Sequence, residues 1–181
     1  MATLFVDKVD PQSGTSLEIG SSGDTVALGS GVTQTIAVNT PAFLARLTSH
    51  QTISDDTMTK IQFNTEVYDT ANAYDNSTNY RFTVPSGQAG KYFYYSSLTL
   101  DGDVSSNLDS ANINPRLNGS SAIGGREFIF YNNPIRLAPV IAIAVLDLSV
   151  GDYLEVFARI EASDATGGRV TGDFGAYKII E

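Results

Sequence analysis

The stretch that most constrains the fold of this chain covers residues 74–100. Apolar and polar side chains alternate over residues 80–84, a break containing Pro85 and Gly90 follows, and a second apolar run begins at Tyr92. Alternation with a period of two is typical of a β-strand, because successive side chains project to opposite faces of a sheet. The order strand, turn, strand therefore predicts a β-hairpin at the centre of the chain.

The second run of this stretch has aromatic residues on both of its faces. Tyr92 and Tyr94 project to one side of the predicted strand, and Phe93 and Tyr95 project to the other. A two-sheet sandwich can bury one of these faces in its core. The other face needs a partner, which is either another part of the chain or another copy of it, because a contiguous exposed patch of aromatic rings is uncommon on a soluble monomer.

From residue 41 onward the chain is predicted to consist almost entirely of strands. Eight candidate strands cover residues 43–47, 61–63, 80–84, 92–100, 127–131, 140–148, 154–162 and 174–180. Clusters of Asn, Asp, Gly and Ser separate them, and helical periodicity is absent from this part of the sequence. The pattern predicts an all-β sandwich.

The longest apolar segment covers residues 137–146 and is interrupted by Pro139. Its length is about half of the roughly 20 residues that a membrane-spanning helix needs. We therefore expect no membrane span. Because apolar residues occupy both sets of alternating positions, we interpret the segment as a strand that is buried on both faces.

Residues 1–40 form a separate N-terminal segment in the predicted domain division, and the sandwich occupies residues 41–181. The segment contains one Lys and no Arg, and Gly- and Ser-rich turns separate three apolar pairs. This regularity predicts short strands that turn repeatedly, with a flexible linker as the alternative. Because so few repeats cannot bury a core of their own, we expect the segment to wrap against copies of itself or to dock on a partner. The pairs are Leu17/Ile19, Val26/Leu28 and Ile36/Val38.

The charged and nucleophilic residues argue against several classes of function. The net charge of −9 and the scattered Lys and Arg residues leave no basic track for a nucleic-acid backbone. The chain has no Cys and a single His, His50, so zinc sites and Ser-His-Asp sites lack their usual residues. We expect a protein that is not an enzyme and needs no cofactor. Carboxylate pairs for glycoside cleavage remain open, because their spacing is a tertiary property.

Calcium is the metal that these residues suit best, because it prefers oxygen ligands from Asp, Asn and backbone carbonyls. Asp101 and Asp103 flank a glycine in a predicted loop, and Asp69, Asp75 and Asn76 form a second group. Neither spacing matches an EF-hand loop. We predict at most a weak calcium site, with Asp101 and Asp103 as its candidate ligands, and solvated turn acids are the alternative.

Residues 74–94 carry the pattern Y-D-x-x-T-x-x-[RK]-F-T-V-P followed shortly by G-K-Y-x-[FY]. This pattern resembles the central signature of C1q-like domains of the C1q/TNF superfamily. Two departures from the family pattern are Ala176, where the closing motif usually has Gly, and residues 119–136, which look like an insertion. Four further fragments occur in the family's order between residues 41 and 181: PAFLAR from Pro41, KIQFN from Lys60, VLDLSVGDYLEV from Val145 and FGAYKI from Phe174.

The resemblance implies a jelly roll of about ten strands that associates as a homotrimer, with calcium near the trimer apex in some members. Together with the alternation, it predicts a set of aromatic residues in the core or on the central axis: Phe43, Phe63, Phe82, Tyr92 and Phe174. It also predicts a trimer interface that contains Phe93, Tyr95, Phe43 and Phe174.

Part of the N-terminal segment, the sequence LFVDKVDPQSGTSLEIGSSGDTV, resembles the N-terminal segments of structural proteins from marine bacterial viruses. This resemblance implies a non-enzymatic structural or adhesive protein of a bacteriophage virion, assembled in the host cytoplasm. It would be a trimeric tail-fibre knob, or a fibre or cement protein that decorates the capsid. Its expected partners are copies of itself, other virion proteins, and a host surface receptor or glycan. A free C1q-like ligand-binding module is the alternative, and an enzyme acting on surface glycans is a third reading.

Overall fold

The computed structural model describes residues 41–120 and 123–180, together with the isolated residues Gly14, Thr25 and Ser30. The repeated short strands predicted within residues 1–40 lie outside the described residues, so that interpretation stays a prediction. In the described part of the chain, no helix has the length and apolar character needed to cross a membrane.

The described residues fold as twelve strands without a helix. The strands form two six-stranded antiparallel sheets that face each other, so the prediction of an all-β jelly-roll sandwich is confirmed. The strands are β1 (Ala42–Arg46), β2 (Gln51–Ile53), β3 (Thr59–Lys60), β4 (Thr65–Asp69), β5 (Tyr74–Asp75), β6 (Arg81–Thr83), β7 (Gly90–Asp101), β8 (Leu108–Leu117), β9 (Arg126–Ile129), β10 (Leu137–Leu148), β11 (Tyr153–Ala162) and β12 (Gly168–Ile180).

The two sheets draw their strands from distant parts of the chain. Sheet A has the order β10-β7-β12-β1-β4, and β2 also pairs with β12. Sheet B has the order β5-β6-β11-β8-β9, and β3 also pairs with β11. Strand β1 therefore pairs with β12 at the other end of the domain, so the fold closes only when its first and last strands meet.

The predicted central hairpin is wrong, because its two strands lie in different sheets. Strand β6 pairs with β5 and β11 in sheet B, whereas β7 pairs with β10 and β12 in sheet A. The segment between them crosses from one sheet to the other, and the rings of Phe82 and Tyr92 meet across the sandwich at 5.7 Å. Alternation identified both strands correctly, but it carries no information on whether neighbours in sequence pair edge to edge or pack face to face.

Strand β8 was missed by sequence reasoning, and one predicted strand is not regular. The β8 sequence LDSANINPRL contains Asp, Asn and Pro, which are depleted in strands, yet it pairs with β11 along its length. The predicted strand at residues 61–63 lies outside the regular strands, and only Thr59–Lys60 before it forms β3. Ile61 and Phe63 are nevertheless fully buried, so burial rather than sheet pairing explains their apolar character.

The centre of the core is an aromatic cluster built by both sheets. Phe43 of β1 stacks on Tyr74 and Phe82 at ring distances of 4.8 and 5.0 Å, and it meets Phe174 edge-on at 5.0 Å. Offset-stacked and edge-to-face arrangements of this kind add to the stabilisation from buried area. The five aromatic residues predicted for the core or central axis are all core residues: Phe43, Phe63, Phe82, Tyr92 and Phe174.

Because two tyrosines are buried, we predict that the free energy of unfolding falls in alkali. Burial raises the pKa of Tyr92 and Tyr94 from 10.0 to about 12. Between these values the unfolded chain has released protons that the folded chain retains, so this stabilisation is complete below about pH 10 and is lost as pH rises through about 12. Urea unfolding across this range should show the decline, and Tyr92→Phe should show a smaller one. An equal decline in both proteins would contradict the assignment to Tyr92.

Candidate functional site

The outer surface of sheet A carries a contiguous apolar area on its central strands. Phe93 of β7 is paired with Val145 of β10 on one side and with Tyr177 of β12 on the other. Tyr95, two residues further along β7, is paired with Ile143. Residues in direct register lie side by side on the same face. We call this surface the apolar face; Leu44, Tyr68, Ile141 and Ile179 extend it.

Several side chains of the apolar face are exposed to solvent in a single chain. Ile143 is 54% exposed, Val145 is 58% exposed and Tyr177 is 47% exposed. The ring of Phe93 lies 5.3 Å from that of Tyr177, so the aromatic side chains form a packed surface rather than separate protrusions. A patch of this kind on a folded domain is characteristic of an interaction surface.

Gly175 lets the apolar face stay flat at its centre. A Cβ added there would approach the ring of Tyr95 and the carbonyl oxygen of Phe43 to 2.9 Å each. The ring of Tyr95 therefore lies directly over the backbone of β12, in space that any side chain at position 175 would occupy. The glycine that the closing motif normally places at position 176 is replaced by Ala176, which is buried, and the close approach occurs one residue earlier.

Strand β10 is buried on only one face, so the sequence interpretation of residues 137–146 as buried on both faces is wrong for a single chain. Ala138, Val140 and Ala142 point into the core, whereas Ile141 and Ile143 point outward and are exposed. The strand also lies at the edge of sheet A, where β7 is its neighbour. A long apolar edge strand is a hazard for a lone chain. Both faces of the strand are apolar, because its inward side chains fill the core and its outward side chains form part of the apolar face.

The structure separates the four predicted interface residues into two groups. Phe93 and Tyr95 lie on the apolar face and are half-buried there. Phe43 and Phe174 are each 1% exposed inside the sandwich, so their assignment to a trimer interface is wrong. A side chain that one chain already covers offers no surface to another. Ile143, Val145 and Tyr177 were missed, although the alternation of β10 and β12 contains them once the inward-facing positions are known.

The outer surface of sheet B differs sharply, because charged groups cover its aromatic rings. The guanidinium group of Arg116 lies 3.9 Å from the centre of the Phe157 ring, and that of Arg81 lies 4.2 Å from the Tyr153 ring. Arg159 bonds the carboxylate of Asp56 at 2.8 Å. Cation–π contacts and ion pairs suit a solvated surface. Of the two outer surfaces, sheet A is therefore the one that calls for a protein partner.

The fold brings the candidate calcium ligands Asp101 and Asp103 close together, but their carboxylates already bond arginine side chains. The Asp101 carboxylate accepts hydrogen bonds from Arg136 at 3.2 Å, from Arg169 at 3.1 Å and from the backbone N–H of Asp103 at 2.9 Å. Asp103 bonds Arg169 at 3.0 Å. Burial alone would raise the pKa of Asp101, but these donors outweigh it and lower the pKa. The guanidinium groups supply the positive charge that calcium would bring.

The second candidate group caps turns instead of forming one site. Asp69 accepts the backbone N–H groups of Ala73 and Tyr74. Asp75 accepts those of Thr78 and Ser77, and these bonds lower its pKa. Within residues 41–120 and 123–180, no group of three His, Asp or Glu side chains is arranged to hold a metal ion. These acids match the turn role that was the alternative in the sequence.

Asp101→Asn is expected to lower the free energy of unfolding by about 1–3 kcal/mol, because it weakens buried charge-assisted hydrogen bonds. The pKa of Asp101 is lowered in the fold, so its stabilisation is present above the unfolded value and is lost as pH falls through the folded value. The difference between the two proteins should therefore shrink in acid. Scanning calorimetry with and without calcium checks both points; a large calcium-dependent rise in the wild-type melting temperature that the variant lacks would contradict the arginine-based account.

The single histidine contributes no visible site. His50 is exposed in the loop between β1 and β2. It lies in a polar stretch with Thr48 and Ser49, and Thr48 bonds the side chain of Asn64 at 3.2 Å. A surface-loop role is the simplest description of this residue.

Comparison with known proteins identifies the fold. No family model matches the chain, and no curated protein matches its sequence. A solved structure that it resembles is the globular domain of the zebrafish complement 1qA protein, with a TM-score of 0.56 and 18% sequence identity. The match covers 78% of this chain and 98% of that chain. The likeness agrees with the sequence resemblance of residues 41–181, and the chain has the jelly-roll fold of C1q-like domains.

Proposed function

We propose that the protein is a non-enzymatic structural or adhesive module that works as a homotrimer, with the apolar face buried between three copies. The observation that carries the proposal is the exposed apolar surface that Ile143, Val145 and Tyr177 form beside Phe93 and Tyr95 on sheet A. The hydrophobic effect favours removal of such a surface from water. Burying it in an assembly also covers the apolar edge strand β10.

Three copies are supported by the fold and by the position of the apolar face, which reaches the edge strand β10. The resemblance to C1q-like domains implies a trimer. In addition, the apolar face reaches the edge of sheet A, so the edge strand of one subunit can contact the outer surface of sheet A in the next subunit around a symmetry axis. An obligate interface buries about 2,000 Å² or more and is largely apolar. Light scattering at low micromolar concentration tests the proposal: the wild-type chain should have three times the monomer mass, and a stable folded monomer would refute it.

The proposed setting is a bacteriophage virion. The support is the resemblance of the N-terminal sequence LFVDKVDPQSGTSLEIGSSGDTV to structural proteins of marine bacterial viruses. In this setting residues 1–40 attach the module to other virion proteins, and the jelly roll forms a tail-fibre knob or a capsid-decorating protein. Its outward surface then meets a receptor or glycan of the host.

A free ligand-binding module is the second candidate, and the C1q-like fold favours it equally. Mass spectrometry of purified particles separates the two settings. A virion protein should be present in the particles at a stoichiometry that is a multiple of three. A free module should instead remain in the soluble fraction after the particles are removed.

A further inference from the structure

The segment that departs from the C1q-like pattern, residues 119–136, builds a surface cleft beside β9. The cleft has a volume of about 300 Å³ and is lined by Ile129, Phe130, Tyr131, Asn132, Asn133 and Ile135. We propose that this surface, the 129–135 cleft, binds a neutral saccharide. The inference rests on the proposed adhesive function and gives that function a site and a class of ligand.

The backbone of the 129–135 cleft is held in place before any ligand binds. The N–H of Phe130 donates to the carbonyl of Asp109 at 2.6 Å, and the N–H of Asn133 donates to the carbonyl of Phe130 at 2.7 Å. Ile135 and Leu108 exchange two backbone hydrogen bonds, at 3.2 and 2.8 Å. Both ends of the loop are therefore attached to β8. A pre-organised site loses less conformational entropy on binding.

Tyr131 presents an open aromatic ring at the cleft. Its side chain is 54% exposed, and its hydroxyl donates a hydrogen bond to the carboxylate of Glu161, which orients the ring. In the described part of the chain no cation or second ring stacks on it, in contrast to Tyr153 and Phe157, which arginines cover. A free aromatic face is the group on which the apolar C–H face of a pyranose packs, since the ring offers both area and a negative π-surface.

The amides of Asn132 and Asn133 supply the polar chemistry that a sugar needs. Both residues are exposed, and neither side chain has a hydrogen-bond partner among the residues that the structure describes. An amide donates and accepts at once, which matches two adjacent hydroxyl groups. An apolar surface with a few convergent polar groups is the usual composition of a small-molecule site.

The charges around the cleft favour a neutral ligand over an anionic one. Its six lining residues carry no charge. The carboxylate of Glu161 lies against Tyr131, and the chain as a whole has a net charge of −9. A carboxylate or phosphate on the ligand would meet repulsion without a cation in the lining to offset it. Neutral hexoses are favoured over sialic acids and nucleotides.

Nuclear magnetic resonance on the whole 181-residue chain tests the inference with five probes: the methyl glycosides of glucose, galactose, mannose and N-acetylglucosamine, and sialyl-lactose as the anionic comparison. We expect at least one neutral glycoside to shift the backbone amide signals of residues 129–135 and to receive saturation on its C–H protons. Tyr131→Ala should weaken that binding about tenfold or more. Phe128→Ala is the matched control, because Phe128 is 42% exposed on β9 but does not line the cleft.

Several outcomes would overturn the inference. They are the absence of shifts with all four neutral probes, preferential binding of sialyl-lactose, and binding that Tyr131→Ala leaves unchanged. Amide signals outside the cleft monitor folding of the variant, and Asn133→Ala replaces it if they move. Light scattering on the same samples keeps the proposals distinct: a trimer that binds no glycoside contradicts the saccharide site alone, whereas a monomer that binds one contradicts the proposed assembly alone.

Discussion

Ile143→Asp is expected to convert the proposed homotrimer into folded monomers. Ile143 lies at the centre of the apolar face beside Tyr95 and is 54% exposed in a single chain, so an aspartate there stays hydrated in the monomer. In the trimer the same carboxylate would be buried without a partner. An uncompensated buried charge costs about 3–5 kcal/mol per subunit, and three subunits share the penalty. Light scattering at low micromolar concentration should give the monomer mass, and circular dichroism should remain that of a β-protein.

Val150→Asp is the matched control for this experiment. Val150 is also an exposed aliphatic residue, at 52%, but it lies in the turn between β10 and β11, away from the apolar face. The control should remain trimeric. Ile143 is a sharper probe than Phe93, which is half-buried in the monomer, so that its replacement affects folding as well as assembly. A trimer that tolerates Ile143→Asp would show that the apolar face is not the interface.

Phe43→Ala is expected to cause the largest loss of stability in the domain, about 3–5 kcal/mol. Phe43 is 1% exposed, and its ring packs against Tyr74 and Phe82 of sheet B and against Phe174 of sheet A. The substitution leaves a cavity where the two sheets meet, because surrounding strands relax only partly. Urea unfolding should show a lower midpoint with little change in slope.

The measurement is cleanest in the Ile143→Asp background, because unfolding of a trimer also depends on protein concentration. Phe128→Ala serves as the control, since Phe128 is 42% exposed on the edge strand β9. Its effect should stay within about 0.5–1 kcal/mol. If Phe43→Ala cost no more than the control, the aromatic cluster would not be the centre of the core.

Several elements of the fold follow from alternation alone. The strands at β7, β11 and β12 were predicted from it, and so was the division of Tyr92 and Tyr94 from Phe93 and Tyr95. Side-chain direction in a strand is a local property that depends only on the pleat of the backbone. The requirement for a second partner on one face followed from the same reasoning, because both faces of one strand were aromatic.

Strand pairing was not predictable in the same way. The sequence neighbours β6 and β7 lie in opposite sheets, and β8 is a strand despite Asp, Asn and Pro in its sequence. Alternation tells which residues share a face but not which face is inside, so Phe43 and Phe174 were assigned to the interface although they belong to the core. These choices depend on contacts between distant segments, such as the pairing of β1 with β12.

For the candidate sites too, part of the description followed from the sequence and part only from the tertiary structure. The sequence by itself indicated that Asp103 is a loop acid and that the region after residue 119 departs from the family pattern, whereas Asp101, also predicted in the loop, is the last residue of β7. Only the tertiary structure brings Arg136 and Arg169 onto Asp101, 35 and 68 residues away along the chain. The physical reason is that electrostatic and packing partners are selected by distance in space, and a jelly roll makes neighbours of segments that a linear pattern keeps apart.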